Sequence, residues 1–153
     1  MSALDRTDRK ILQILQKDGR ISGVELAEQV GLSPTSAGER LKRLQRDGFV
    51  SGFGARLDPQ KLGLGFLVFI EVHLDKTTPD AFERFARAVR LAPEVLECHM
   101  VAGGFDYLLK VRLPDMTAYR RFLGNVLLGF PGVRETRSYA VMEEVKSDAP
   151  LPV

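Results

Sequence analysis

Apolar residues recur at helical spacing through roughly the first third of the chain and at a spacing of two from Phe66 onward. Ile11, Leu12, Ile14 and Leu15 predict a helix that Asp5 caps and Gly19 stops. Ser22-Gly23-Val24-Glu25 fits a capping box, in which Ser22 and Glu25 satisfy each other's free backbone donors; the helix it opens carries Val24, Leu26, Ala27 and Val30 and ends at Gly31. Ser33 caps a third helix with Pro34 in its first turn, where the missing N–H costs nothing. There Ala37, Leu41 and Leu44 make one apolar stripe, and Thr35, Glu39, Lys42, Arg43 and Arg46 point the other way. Phe49 to Leu57 alternates loosely and reads as a strand or small wing, and Asp58-Pro59 with Gly63 and Gly65 reads as a hinge.

In the second half Phe66, Val68, Ile70, Val72 and Leu74 alternate as a strand, and Phe82, Phe85, Ala86 and Val89 form a helical stripe after Thr78-Pro79. Strands over 95–102 and 107–113 follow, joined at Gly103-Gly104 in what reads as a tight two-residue hairpin. A helix with Tyr119, Phe122, Leu123 and Val126 and a strand over 133–142 complete a β-α-β-β-α-β order, the ferredoxin-like unit. The expected fold is therefore α+β, an N-terminal winged helix-turn-helix over 1–58 followed, after a hinge at 59–65, by a ferredoxin-like βαββαβ domain over 66–146 and a loose tail at 147–153. Two helices on one face of such a sheet leave the other open; Leu67, Phe69, Val95, Val101 and Leu108 are expected there, as an association surface.

Composition narrows the class. A chain of 153 residues with 44% hydrophobic content suits one domain or two small ones, and Cys98 as the single cysteine excludes an internal disulfide and any zinc site built on paired cysteines. The apolar run Leu62 to Ile70 is far too short to span a membrane and the N-terminus lacks a secretory pattern, so the expected location is cytoplasmic, on the nucleoid. Residues 1–63 hold 11 Lys and Arg against 8 Asp and Glu, and residues 64–153 hold 11 against 12, giving +3 and −1. That excess is modest, so local geometry has to decide whether nucleic acid is a partner.

A capped helix, a glycine turn and a second helix with polar and basic groups is the helix-turn-helix order, whose second helix lies in the major groove of double-stranded DNA. Thr35 and Ser36 are small enough to let the helix N-terminus approach a phosphate, Arg40 and Arg43 could reach a guanine or a phosphate, and Glu39 could accept from a cytosine amino group. The DNA-facing set is read as Ser33, Thr35, Ser36, Glu39, Arg40, Arg43 and Arg46. A solvated charged helix face is the alternative, as is a helix pair that serves as a protein contact within a sensing module.

The segments LDRTDRKILQILQKDGRISGVELAEQVGLSPTSAGERLKRLQRDGFVSGFGARLDP and ECHMVAGGFDYLLKVRLPDMTAYRRFLGNVLLGFPGVRETRSYAVMEEVK resemble, in this order, the DNA-binding and ligand-sensing domains of the Lrp/AsnC regulators. The resemblance implies a transcriptional regulator that dimerises through its ferredoxin-like domain, often assembles to octamers, and takes an amino acid as effector, here leucine or a similar apolar one, to control genes of amino-acid metabolism. It marks Gly103, Gly104, Asp106 and Tyr107 as the effector turn and matches Met100, Met116, Tyr139, Ala140 and Val141 to positions of the leucine response. On that reading the bare N–H groups of the glycines hold the carboxylate and Asp106 balances the ammonium; the alternative is a hairpin that needs glycine only for its φ angles. The sequence departs from the family at Ser36-Ala37-Gly38, where Pro-Cys and a larger residue are common, and at Gly104, where an acidic residue is more usual.

Enzyme chemistry finds little support. His73 and His99 both fall in strands, and no serine or cysteine is placed on a turn as a nucleophile would be. Alternation sends Cys98 to one sheet face and Glu97 and His99 to the other, which argues against a metal site there. Gly63-Leu64-Gly65 precedes a strand instead of following one, so it is not a dinucleotide loop.

Overall fold

A computed structural model describes residues 4–153. It divides into two compact units, one of residues up to Arg56 together with Lys146–Val153, the other Leu57–Val145.

The first unit is built on helices α1 (Arg6–Lys17), α2 (Gly23–Val30) and α3 (Pro34–Arg46). Both predicted N-caps of α1 and α2 close as capping boxes: the Asp5 carboxylate accepts from the Asp8 N–H while Asp8 accepts from the Asp5 N–H, and Ser22 and Glu25 do the same for α2. Gly31 ends α2 at φ +70°, a left-handed conformation that costs glycine nothing, and Leu32 N–H returns to the Ala27 carbonyl. The chain then reverses into α3 within three residues. Ile11, Leu12, Leu26 and Leu44 form the buried cluster of this unit. No strand forms over 49–57: Phe49 and Val50 N–H both bond back to the Leu44 carbonyl, and beyond them the segment finds no partner strand among the described residues, so of the two readings of this segment the strand is corrected to a loop.

The tail corrects a second expectation. It is not loose but lies on α1, where the Gln16 amide both donates to the Leu151 carbonyl (3.1 Å) and accepts from its N–H (2.6 Å). Gln13 Nε2 donates to Val153 O, and the Val153 side chain packs against the Ile11 cluster.

The second unit has the expected order: β1 (Phe66–Leu74), α4 (Pro79–Arg90), β2 (Val95–Met100), β3 (Tyr107–Leu113), α5 (Met116–Asn125), a 3-10 turn Leu127–Gly129 and β4 (Val133–Ala140). The strands form one antiparallel sheet in the order β2-β3-β1-β4. Val68, Ile70, Val72 and Leu74 alternate onto the helix-covered face, where they meet Leu109, Val111, Phe85 and Phe122 in a continuous core.

Two details differ from expectation. The β2–β3 connection is six residues long, closed by Val101 N–H on the Asp106 carbonyl, and neither Gly103 nor Gly104 takes a positive φ; a longer loop does not need the dihedrals of a two-residue turn. Val95 pairs with Val111 and packs on the helix-covered side, because a bulge between Val95 and Glu97 shifts the alternation of β2.

Candidate functional site

Helix α3 starts where the sequence places it, with Ser33 Oγ accepting from Ser36 N–H at 3.2 Å and bonding the Ser36 hydroxyl at 3.0 Å. At about 100° per residue, Thr35, Glu39, Lys42 and Arg46 fall in one narrow stripe opposite the buried Ala37 and Leu44, and all four are exposed. Arg46 bonds its neighbour Asp47 at 3.2 Å. A Cβ built on Gly38, beside this stripe, would meet no atom within 4 Å, so the glycine serves no packing against a neighbouring helix.

Arg40 and Arg43 do not join that face. They sit on the flank of α3 nearest α1, and their guanidinium groups turn toward it: Arg40 Nη1 meets Asp5 Oδ2 at 2.6 Å and Asp8 Oδ1 at 2.9 Å, and Arg43 Nη2 meets Asp8 Oδ2 at 2.5 Å. Asp8 is 1% exposed, the arginine side chains 31% and 34%. The sequence reading offers both arginines to DNA; the structure gives both to a buried carboxylate, which otherwise would carry an uncompensated charge. The bond from the Asp8 N–H, followed by the bond from Arg40, holds the Asp5 carboxyl below the usual carboxylate range, and Asp5 in turn raises the Arg40 guanidinium above its ordinary value. Asp8 is the residue that sequence reasoning missed. Its position at the third residue of α1 was legible as a cap partner, but its pairing with α3 spans 32 and 35 residues and has no local signature.

The effector residues in the second unit fall into two groups. Met100 pairs with Tyr107 at the end of the sheet from which the loop of Gly103, Gly104 and Asp106 springs. Ala140 pairs with Val68 and Val141 N–H bonds the Leu67 carbonyl toward the other end, where Met116 begins α5 just beyond Leu113. Tyr139 lies between, opposite Phe69, its hydroxyl donating to Glu71 Oε1 at 3.1 Å, a bond that raises its pKa. The length of β3, about 20 Å at 3.4 Å per residue, separates Met100 from Met116. Asp106 is also engaged: its Oδ2 accepts from Leu74 N–H at 2.7 Å, pinning the loop to β1. Gly103 and Gly104 are exposed, and a Cβ built on either would meet no atom within 4 Å, so the backbone there is open to a ligand. Tyr107 is corrected to a core residue, 4% exposed and stacked on Phe85 with ring centroids 4.5 Å apart; alternation along β3 points it at the helices.

The open sheet face is less apolar than expected. Leu67, Phe69 and Leu108 lie there, but opposite Arg112, Lys110 and Glu71 in the register, and Glu144 folds back so that both its oxygens accept from Arg112 Nη2 at 2.6 and 2.7 Å. Glu97 bonds Lys110 at 2.9 Å and His99 at 3.2 Å on this face, while Cys98 packs into the core on the other, as alternation requires. Among the described residues no group of three His, Cys, Asp or Glu side chains could hold a metal ion, and no helix is long and apolar enough to cross a membrane.

Comparison with known proteins finds a family match at each end of the chain. Residues 4–51 match a winged helix-turn-helix DNA-binding family and residues 67–151 the Lrp/AsnC ligand binding domain. The leucine-responsive regulatory proteins of Escherichia coli K12 and Klebsiella pneumoniae are 56% identical over 150 residues, covering 98% of this chain and 92% of theirs. Among solved structures, a Neisseria meningitidis transcriptional regulator in complex with L-Met superposes with a TM-score of 0.93 at 44% identity, covering 98% of this chain and 97% of that one. An AsnC family regulator from Agrobacterium tumefaciens gives 0.92 at 36% identity, covering 97% of each chain. The chain thus belongs to the Lrp/AsnC family of DNA-binding transcriptional regulators, proteins that act by binding and not as enzymes, and carries that family's ligand-binding domain.

Proposed function

We propose that this regulator grips double-stranded DNA through the outward stripe of α3, Thr35, Glu39, Lys42 and Arg46, with Ser33 and Ser36 of its first turn beside them, and that its effector is leucine or another apolar amino acid controlling genes of amino-acid metabolism. The observation that carries the first half is the N-terminal turn of α3: its side chains are small, exposed and capped from within, so backbone and hydroxyls can approach phosphates and base edges. The effector half rests on the open glycine backbone at 103–104 and the exposed Met100 and Met116, whose thioethers adapt to an aliphatic chain. The relatives' name, leucine-responsive, and the L-Met held by the Neisseria regulator point the same way.

The two groups lie too far apart within one chain to touch a single amino acid, so the site that uses both is completed between copies, in a homodimer or an octamer built from dimers gathered on the nucleoid. Calorimetric titration with leucine and methionine, alongside a mobility-shift assay on DNA upstream of candidate genes with and without each amino acid, tests the reading. Heat on titration and an effector-dependent shift are expected; DNA binding without heat from any apolar amino acid refutes the effector assignment. Met100→Glu and Val141→Glu should each abolish the heat, and mixing the two variants should restore part of it if the site is shared.

A further inference from the structure

Asp8 is the one charged side chain fully buried among the described residues, and both its oxygens are committed: Oδ1 to Arg40, Oδ2 to Arg43 and the Asp5 N–H. Together with Asp5, which also meets Arg40, it neutralises two of the four basic residues of α3 from beneath. An arginine free at a DNA-facing helix binds phosphate whatever the base sequence, and each such contact steepens the dependence of log affinity on log salt by about 0.9. For Arg40 and Arg43 to swing to phosphates, Asp8 would have to remain buried with no counter-charge, the costliest arrangement for an ion pair.

We propose that Asp8, supported by Asp5, is a specificity-determining positioning residue: it withholds Arg40 and Arg43 from the DNA backbone, so that α3 meets the duplex through Thr35, Glu39, Lys42 and Arg46. The proposal rests on α3 being the DNA-facing helix. Asp8 touches no DNA itself; it acts through the two arginines, and its effect is to lower sequence-independent binding relative to specific binding.

The test uses the full chain, a duplex selected by the wild-type protein from a random pool, and a scrambled duplex of the same length, with affinities read by fluorescence anisotropy between about 50 and 200 mM salt. Asp8→Asn keeps the shape and removes the charge. Its salt slope should steepen by about 0.9 for each arginine released, its affinity for the scrambled duplex should rise, and the ratio of specific to scrambled binding should fall. Adding Arg40→Gln and Arg43→Gln to Asp8→Asn should return the slope to the wild-type value. If Asp8→Asn instead weakens both duplexes together at an unchanged slope, Asp8 only holds the fold and the proposal is overturned. Should Asp8→Asn not fold, Arg43→Gln decides: an unchanged slope supports withholding, and a slope shallower by about 0.9 shows that Arg43 does meet a phosphate. Absence of salt-dependent binding by the wild type to any duplex would overturn the reading of α3 itself, a result distinct from each of these.

Discussion

Replacing Gly38 by alanine should stabilise the DNA-binding unit by about 1 kcal/mol, the helix-propensity difference between the two residues in a helix interior. Nothing in the structure opposes that gain. Gly38 sits in the second turn of α3, takes no positive φ, and an added Cβ would meet no atom within 4 Å, so there is neither backbone strain to relieve nor a clash to create. With a urea m-value near 2 kcal/mol/M the midpoint of helix unfolding, followed by circular dichroism, should rise by about 0.5 M. Gly38→Leu should be stabilised almost as much, because leucine is also a good helix former, yet it extends a side chain beside the Thr35, Glu39 and Lys42 stripe. Its affinity for duplex DNA should fall about tenfold, equivalent to about 1.4 kcal/mol. The reasoning fails if Gly38→Ala lowers the midpoint, and the DNA-facing stripe fails if Gly38→Leu is folded and binds as tightly as the wild type.

Deleting residues 147–153 should destabilise the DNA-binding unit by about 1–2 kcal/mol, since it removes a partly buried valine and the hydrogen bonds to Gln13 and Gln16; an unchanged urea midpoint would show that the docked tail adds nothing. The carboxyls of Asp5 and Glu25 are held below their usual range, Glu25 by the Ser22 hydroxyl first and its N–H second. Their contribution to stability is therefore complete above the unfolded values near 4 and is lost as pH falls through the lower folded values; Glu25→Gln should flatten the acid limb of a midpoint-against-pH curve, and an unaltered limb would refute the assignment.

The helices and strands were legible because each signals itself locally. Ser22 and Glu25, or Ser33 and Pro34, lie within one turn of each other, and the alternation of Phe66 to Leu74 is fixed by which sheet face the helices cover. What the sequence concealed depends on distant partners or on irregular backbone. The docking of Leu151 on Gln16 spans 135 residues and involves a backbone that any residue could supply. A bulge, invisible to a period of two, moved Val95 across the sheet. Tyr107 shows a different limit: the family resemblance marks it as an effector residue beside the glycine loop, but its place in the alternation of β3 turns its side chain to the core.

Charge counting misleads most at α3. Arg40, Lys42, Arg43 and Arg46 against Glu39 give the helix a formal +3, which by itself suggests a footprint dominated by phosphate contacts. Once Arg40 and Arg43 are assigned to Asp5 and Asp8, the outward stripe retains Lys42 and Arg46 against Glu39, with Asp47 beside Arg46. A face so nearly balanced gains little from the sequence-blind counterion term. On the proposed reading its grip on DNA comes from close approach, which Thr35, Ser36 and Gly38 permit, and from base-edge hydrogen bonds, which Glu39 and the hydroxyls can make. The small residues at the front of α3 and the buried aspartate behind it are on that reading one device, since the carboxylate that turns two arginines toward α1 also leaves the outward stripe low enough for the duplex to come near.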